Sequence, residues 1–348
     1  MRNAESEIGI VWAQHSFALP YDEANQRKWL ISRFQRRNYP LDIRMRFCYL
    51  WGMKDKNSKK EPASITIREF MARFSNDEVC LQHLFETRFG QDHPCPKCTR
   101  QTKWFRIKAE RAYSCQFCGH HLHPTVGTPF EDSRTPLQLW FYAIYLFTTS
   151  RHGVPAKELE RQLGVTYKTA WRMAGLIREH MEMVDGEFPL FDTIEADETF
   201  VGGKRHGTFG RGAAGKTIVF GMLQRNGEIM TKVVPNCKEK LLMSLIQENV
   251  AKGTTVHTDE MLSYRDLPTN GYPHFTVKHG QKQYVLGECH TNGLENFWKH
   301  LKGGIRGTHI HVSPQHLHKY AKEFEFRFNH RENPSEMFPA LVSTFQKP

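Results

Sequence analysis

The C-terminal half of the chain begins with the segment LFDTIEADETFVGG, residues 190–203, and continues with KTIVFGMLQRNGEIMTKVVPN, residues 216–236. Short apolar or alternating runs are separated by glycines, and Asn226-Gly227 is a typical hairpin turn. A helical pattern follows from Lys238 to Val250, and after it comes the strand pattern TTVHTDE. Strands followed by a helix and another strand predict a mixed α/β domain from residue 188 onward.

Two aspartates lie at strand positions in this predicted domain. Asp197 is in the first strand pattern, and Asp259 lies just past the predicted strand Thr254 to Thr258. A single acidic residue at a strand end can be an ordinary surface group. The two aspartates together can approach each other across adjacent strands. Glu198 and Glu260 each follow one of them directly, so an extended backbone predicts that they point to the opposite face. They are interpreted as structural residues or as residues that support the metal ligands.

A third acidic residue, Glu295, lies in HTNGLENFWKHLKGG at residues 290–304. Apolar residues at helical spacing predict that this helix packs on the sheet. They are Leu294, Phe297, Trp298 and Leu301. The neighbouring face carries Asn292, Glu295, Lys299 and Lys302. A carboxylate and lysines on one helical stripe could address a metal ion and a phosphate together.

These carboxylates suit one kind of chemistry, the in-line cleavage of a phosphodiester. That reaction requires stabilisation of both the attacking and the leaving oxygen, and two divalent ions roughly 3.5 to 4 Å apart provide it when clustered carboxylates hold them. Asp197, Asp259 and Glu295 are the predicted trio. Lys302 is predicted to neutralise a substrate phosphate as a point charge.

A cysteine pattern earlier in the chain predicts a zinc ribbon. Cys95-Pro-Lys-Cys98 is followed after sixteen residues by Cys115-Gln-Phe-Cys118, and the segment between the pairs has the aromatic and β-branched character of a hairpin. Four thiolates suit one tetrahedral structural Zn²⁺. The nearby His93, His120, His121 and His123 could compete as ligands, although the four cysteines make that unnecessary. The remaining cysteines are interpreted as buried thiols: Cys48, Cys80, Cys237 and Cys289.

Residues 151–181, RHGVPAKELERQLGVTYKTAWRMAGLIREHM, predict a helix, a tight turn at Gly164 and a second helix capped by Thr166. A helix-turn-helix that reads DNA needs basic and polar residues near the start of its second helix. The side chains predicted to face outward there are Tyr167, Lys168, Arg172 and Arg178. The alternative is a plain helical hairpin without DNA contact.

Charge and length agree with a multidomain protein that binds nucleic acid. The chain has 348 residues, and 48 lysines and arginines outnumber 37 aspartates and glutamates, a formal charge of +11 that suits a polyanionic partner. The N-terminus does not resemble a signal peptide. The most apolar stretch, residues 137–149, falls short of the roughly 20 residues that span a bilayer. We therefore expect a cytoplasmic protein with no membrane contact.

Several of these motifs occur in the order found in one family. From about Phe70 to Phe345 the chain resembles DDE-superfamily transposases of bacterial insertion sequences that carry an N-terminal zinc ribbon and are related to the eukaryotic Merlin elements. The resemblance is carried by CPKC with CQFCG, LFTTSRHGVPAKELERQLGVTYKTAWRM, EADETFVGGK, HTDE, HTNGLENFWKHLKGGIRGTHIHVS and HLHKYAKEFEFRFNHR.

This resemblance implies a ribonuclease H-like catalytic domain, two Mg²⁺ or Mn²⁺ ions, and excision and insertion of the element's own DNA between terminal inverted repeats. By position, EADE implies Asp197 as a metal ligand, HTDE implies Asp259, and TNGLENFWKHLK implies Glu295 with Lys302. Asn292 is the alternative third ligand. Residues 303–312, which include Arg306, could touch DNA together with Lys299.

The complete prediction is a multidomain α+β transposase. Residues 1–64 form an unassigned extension, 65–130 a helical segment with the zinc ribbon, 131–187 the helix-turn-helix region and 188–345 the catalytic domain. Its partner is double-stranded DNA, both transposon ends and target, and joining two ends implies a dimer or larger assembly at the nucleoid. Two alternatives remain open: a non-enzymatic DNA-binding regulator, and a related nuclease that does not join strands.

Overall fold

The computed structural model describes residues 65–90, 92–186, 189–202, 215–281, 283 and 285–345. The extension 1–64, with Cys48, lies outside the described residues. Within them, no helix is both long enough and apolar enough to cross a membrane.

The front of the described chain is helical. Helix α1, Ile67–Arg73, begins at a capping box formed by Thr66 and Glu69. Helix α2, Asp77–Phe89, is capped by the Asn76 side chain. The apolar stretch at Leu137–Thr149 forms helix α3, which is buried in a core of front helices.

The ribbon is a three-stranded antiparallel sheet of β1 (Trp104–Ile107), β2 (Ala112–Cys115) and β3 (His121–Leu122). Trp104 pairs with Cys115, which confirms the predicted hairpin between the two cysteine pairs. Tyr113 and Leu122 point into the helical core, and the ribbon is thereby anchored to it.

Two helices joined by a tight turn follow, as predicted: α4 (Ala156–Leu163) and α5 (Tyr167–Asp185). Gly164 ends α4 in the left-handed conformation with φ of 66°, which a glycine adopts without steric cost. The Thr166 side chain accepts a hydrogen bond from the Thr169 N–H and caps α5. Leu159, Leu163, Ala170 and Met173 are buried between the two helices and the front core.

The C-terminal half contains a mixed five-stranded sheet in the order β6-β5-β4-β7-β8. Its strands are β4 (Thr193–Val201), β5 (Thr217–Gln224), β6 (Ile229–Val234), β7 (Thr255–Asp259) and β8 (His274–Val277). The first three are antiparallel neighbours, whereas β7 runs parallel to β4 and β8 parallel to β7. The mixed α/β architecture is as predicted, with Asp259 as the last residue of β7 rather than just beyond it.

Helices cover both faces of this sheet. Helix α6, Glu239–Asn249, packs on one face against Phe220 and Met222. Helices α7 (Asn292–Gly304) and α8 (Leu317–Asn329) pack on the other against Val219 and Leu223. Successive side chains of β5 therefore pack into the hydrophobic cores on opposite faces of the sheet, because side chains alternate between faces along a strand. The final helix α9, Met337–Ser343, returns to the front and joins the core of α2, α3 and α5.

One predicted orientation is wrong. Arg178 was predicted to face outward from α5, but only 3% of it is exposed. Its Nε donates to Glu323 Oε2 at 2.5 Å, and a guanidinium nitrogen donates to the Val154 carbonyl at 3.1 Å. Helix α8 packs along this side of α5 and contributes the buried carboxylate. The periodicity of α5 alone contains no information about a helix that lies 145 residues later in the chain.

Helix α8 buries charged residues as well as aromatic ones. Phe324 and Phe326 are buried, but so are three charged residues, Lys322, Glu323 and Glu325. The helix lies between α5 and β6, so it has no solvent face along its middle. Lys322 pairs with Glu325 at 2.8 Å, and Glu325 also accepts from the Thr231 N–H at 2.7 Å. These ion pairs and hydrogen bonds offset the desolvation cost of burying the charged groups.

Candidate active site

The predicted aspartates lie on neighbouring parallel strands. Register pairs Glu195 of β4 with His257 of β7, and two residues farther along each strand come Asp197 and Asp259 on the same face. Asp259 is only 2% exposed, and one of its carboxylate oxygens accepts a 3.0 Å hydrogen bond from the Met261 N–H. Parallel pairing of β4 and β7 therefore brings the two carboxyl groups to one part of the sheet.

The two aspartates lie close enough for their charges to repel each other. Burial first, and the negative charge of Asp259 second, raise the pKa of the Asp197 carboxyl to about 6, and Glu295 adds to this effect. A hydrogen bond from Trp298 acts in the opposite direction. All three predicted carboxylates thus interact electrostatically, and a cation between them would relieve the repulsion.

Helix α7 is held on the aspartate strand by Trp298. Its indole Nε1 donates to Asp197 Oδ2 at 3.0 Å. The register partner of Asp197 on β5 is Gly221, where an added Cβ would lie 2.6 Å from the indole ring. The absence of a side chain on Gly221 leaves room for the indole against the sheet. Sequence reasoning missed this residue, although a glycine inside a strand pattern is a known sign of close approach.

The start of α7 is fixed by another residue that sequence reasoning missed, Glu195. This residue is buried on the same face as Asp197, and its Oε2 accepts the Leu294 N–H at 3.0 Å. A carboxylate at a helix N-terminus is favourable because the first N–H groups lack partners within the helix. His290 Nδ1 lies 3.1 Å and Arg225 Nε 3.5 Å from the other oxygen. The alternation EADE contained this signal, since Glu195 and Asp197 share a face.

Glu295 faces the loop after β8. His279 Nε2 lies 3.8 Å from Glu295 Oε1. Glu260 accepts the backbone N–H groups of His279 and Gly280 at 2.7 and 2.8 Å, which orders this loop. Glu260 is therefore structural, as predicted. Glu198 is also where the sequence predicted it, on the opposite face, where the Tyr264 hydroxyl donates to it.

The remaining predicted residues of α7 lie around this site. Lys302 is half-buried, and its pKa is lowered by burial first and by Arg306 and Lys216 next, while Asp197 opposes that shift. Asn292, Lys299 and Arg306 are exposed. Lys302 thus places positive charge near Asp197, and Lys216, which sequence reasoning had not singled out, adds a second positive charge near Lys302.

The three carboxylates have the right chemistry to bind a hard divalent cation, but they lie farther apart than metal ligands do. Carboxylate oxygens are the ligands that Mg²⁺ and Mn²⁺ prefer. Within the described residues, however, Asp197, Asp259 and Glu295 do not offer three ligand atoms that all lie within 4.8 Å of one another. Glu295 is 35% exposed, so its side chain has room to move toward the aspartates.

The four cysteines form a complete cluster. Cys95 Sγ lies 3.6 Å from Cys118 Sγ, and Cys98 Sγ lies 3.8 Å from Cys115 Sγ. Tetrahedral zinc with thiolate bonds near 2.3 Å requires sulfur separations of roughly 3.8 Å. Burial alone would raise the pKa of Cys115, but hydrogen bonds with Thr102 and with the backbone N–H groups of Cys118 and Phe117 lower it to about 6. The cluster fits one Zn²⁺.

The start of α5 is an exposed aromatic and basic surface. Tyr167, Lys168 and Arg172 are exposed as predicted. Trp171, which sequence reasoning did not single out, is 46% exposed and lies edge-on to His316 with ring centroids 5.3 Å apart. Beside it is a cavity of about 150 Å³ lined also by Arg172 and Lys319. The second helix of the hairpin and the start of α8 therefore share one surface.

Known proteins are similar to this chain in both halves. A family model described as the ISXO2-like transposase domain matches residues 189–329, and a model described as the transposase zinc-ribbon domain matches residues 75–121. A protein of the transposable element ISH50 from Halobacterium salinarum is 26% identical over 274 residues, 73% of this chain and 91% of that protein. A transposase-like protein of Haemophilus influenzae is 32% identical over 110 residues, 32% of this chain and 88% of that protein.

Among solved structures, the Mos1 transposase paired-end complex with left transposon end is 11% identical. The match covers 59% of this chain and 80% of the Mos1 chain, with a TM-score of 0.19. The family models and relatives confirm the predicted kinship with zinc-ribbon insertion-sequence transposases. The chain therefore belongs to the family of transposases that combine a zinc ribbon with an ISXO2-like transposase domain.

Proposed function

We propose that this protein cuts and joins DNA at the ends of its own insertion sequence. The observation that carries the proposal is the Asp197–Asp259 pair on neighbouring parallel strands, with Glu295 and Lys302 brought to it by a helix that Trp298 ties to Asp197. A DNA-binding regulator has no need for buried carboxylates that repel one another. The sheet order β6-β5-β4-β7-β8 supports a ribonuclease H-like assignment of this domain.

In this proposal Asp197, Asp259 and Glu295 hold two Mg²⁺ or Mn²⁺ ions, which supply charge stabilisation for the attacking and leaving oxygens of the phosphodiester. Glu295 is favoured over Asn292 as the third ligand, because Glu295 already raises the pKa of Asp197 and a carboxylate binds a hard cation better than an amide. Lys302 neutralises charge on the bound phosphate, and Trp298 orients the Asp197 carboxylate.

End recognition is assigned to the zinc ribbon and to the helix-turn-helix α4–α5. Tyr167, Lys168, Trp171 and Arg172 form the exposed start of its second helix, the part that meets base edges in proteins of this kind. Lys299 and Arg306 extend the basic surface near the catalytic site. Arg178 is removed from the predicted DNA contacts because it is buried. Joining two DNA ends calls for at least two subunits on the DNA.

The test is cleavage and strand transfer on a labelled oligonucleotide that carries the element's own end, with Mg²⁺ or Mn²⁺. Asp197→Asn should abolish both reactions and leave end binding in a gel-shift assay intact. Glu295→Gln should lose joined products, whereas Asn292→Ala should keep them. Glu248→Gln is the matched control, because Glu248 is an exposed carboxylate on α6, which covers the other face of the sheet.

Three outcomes would overturn the proposal. Cleavage retained in Asp197→Asn would remove the carboxylates from the chemistry. End binding without cleavage in either metal would support a DNA-binding regulator, while cleavage without joined products would support a nuclease.

A further inference from the structure

The outer edge of the zinc ribbon carries a second group of metal-ligating side chains besides the four cysteines. Glu110, His121 and His123 each offer one ligand atom, and these three atoms all lie within 4.8 Å of one another. His121 Nδ1 is 3.6 Å from Glu110 Oε2, and the two imidazole centroids are 6.4 Å apart. All three residues are exposed, and none of them belongs to the cysteine cluster.

The backbone explains why these side chains converge. His121 and His123 flank Leu122, which is 93% buried in the helical core, so the extended backbone turns both imidazoles outward. Strand β3 pairs with β2 through Ser114 and His121. Glu110 lies in the tight turn that precedes β2. The three ligands therefore project from one small sheet and its turn. Tyr113 and Leu122 anchor this sheet to the helical core, so its position does not depend on the three ligand side chains.

We propose that Glu110, His121 and His123 form a second, open site for a divalent transition metal, with Zn²⁺ as the metal that fits best. Zinc with nitrogen and oxygen ligands near 2.0 to 2.1 Å in tetrahedral geometry needs ligand atoms roughly 3.3 Å apart. The distance of 3.6 Å between His121 and Glu110 is close to this value. The remaining separations, at most 4.8 Å, need side-chain shifts of only about 1.5 Å.

The ligand types define the class of metal. Imidazole nitrogens favour zinc, copper and nickel, whereas Mg²⁺ and Ca²⁺ prefer oxygen ligands throughout. Three protein ligands leave the fourth tetrahedral position for water or for a group from another molecule. The cysteine site has four sulfur ligands and no open position, so the two sites differ in both chemistry and accessibility.

The experiment measures zinc bound to the full chain after equilibration with micromolar Zn²⁺ and gel filtration. We expect two zinc ions per chain, one of which a mild chelator removes quickly because its site is exposed. His121→Gln and His123→Gln should each lower the zinc affinity of the exposed site at least about tenfold. Loss of a residue that only hydrogen-bonds to a metal ligand already lowers affinity by about that factor. The double variant should hold one zinc.

His120→Gln is the matched control, because His120 is adjacent in sequence and outside the cluster. It should keep two zinc ions. A second measurement adds Co²⁺ to chain that already holds one zinc. Absorption without thiolate-to-cobalt bands would support the proposed ligands, and thiolate bands would assign the cobalt to the cysteines.

A single zinc in the native chain, or equal zinc content in the native chain and the double variant, would overturn the inference. Because no DNA is used, this outcome would leave the proposed transposase activity untouched.

Discussion

Trp298 donates a hydrogen bond of 3.0 Å from its indole nitrogen to the carboxylate of Asp197. One aromatic side chain thereby joins the helix that carries Glu295 and Lys302 to the strand that carries the first aspartate. The contact depends on Gly221 of the neighbouring strand, whose missing Cβ leaves space for the indole ring. Positioning of the candidate site thus rests on packing as much as on the acidic residues.

Gly221→Ala should displace this helix. The new Cβ would lie 2.6 Å from the indole ring, and overpacking of this kind costs about 1 to 3 kcal/mol. Urea unfolding should show that loss, and cleavage should fall with it. Gly303→Ala is the control, because Gly303 lies in the same helix with open space around it. The control should keep or gain stability, and equal behaviour of both variants would argue against the packing role of Gly221.

The raised pKa of Asp197 predicts a pH dependence in the metal-free chain. The folded-state pKa of about 6 exceeds the ordinary value of 3.8, so the folded state holds this proton more tightly than the unfolded state. Protonation of Asp197 should therefore stabilise the folded state fully below about pH 4. This stabilisation, about 1 to 3 kcal/mol, should be lost as pH rises to 6. Denaturant unfolding at several pH values should show this decline in the native chain and lack it in Asp197→Asn.

Divalent-ion binding should depend on the same proton. A carboxylate must be deprotonated to bind a metal, so Mn²⁺ affinity should rise by up to about tenfold per unit as pH increases toward 6 and then level off. Titration followed by electron paramagnetic resonance would measure it. An affinity that stays constant from pH 5 to 7 would contradict the assignment of Asp197 as a ligand.

Cys95→Ser combined with Cys98→Ser should release the ribbon zinc. Two of the four sulfur ligands would be lost, and the ribbon, whose Tyr113 and Leu122 contribute to the helical core, should unfold at lower denaturant concentration. Zinc content and urea unfolding are the measurements. Cys237→Ser removes a thiol from outside the cluster and should keep the cysteine-bound zinc. An unchanged zinc content in the double variant would refute the ribbon assignment.

Arg178→Met should strongly destabilise the junction of α5 and α8. It removes one partner of a buried ion pair and leaves the buried negative charge of Glu323 less well neutralised, which should lower the free energy of unfolding by about 3 to 5 kcal/mol.

The same ion pair predicts a pH dependence of stability. Burial alone would raise the pKa of Glu323, but Arg178 and Arg327 lower it to about 2. Because the folded-state pKa lies below the ordinary 4.5, this stabilisation is present above about pH 4.5 and is lost as pH falls toward 2. Acid unfolding of Glu323→Gln should lack that component.

Arg172→Ala should weaken binding to the element's end. One phosphate or base contact would be lost, so the slope of binding against salt concentration should decrease by about one if the contact is to phosphate. Arg68→Ala, an exposed arginine of α1, is the control. Unaltered affinity of Arg172→Ala at every salt concentration would remove α5 from the DNA interface.

Local patterns in the sequence determined much of this protein. Spacing within short segments is enough to specify the cysteine ligands, the hairpin between them, the turn at Gly164 and the mixed strand and helix order, because each depends on neighbours in the chain. The acidic candidates Asp197, Asp259 and Glu295 were also recognisable there, from their positions on predicted elements and from family resemblance.

Tertiary structure decided what lies beside those residues. Four contacts join segments that are far apart in sequence. They are the hydrogen bond of Glu195 at the start of α7, the indole contact with Asp197, the ion pair of Arg178 with Glu323, and the return of α9 to the front core. Periodicity shows which face of a helix is apolar, but it does not show which later element covers that face. Burial of Arg178 and exposure of Trp171 therefore followed from packing between helices, which single-segment patterns do not contain.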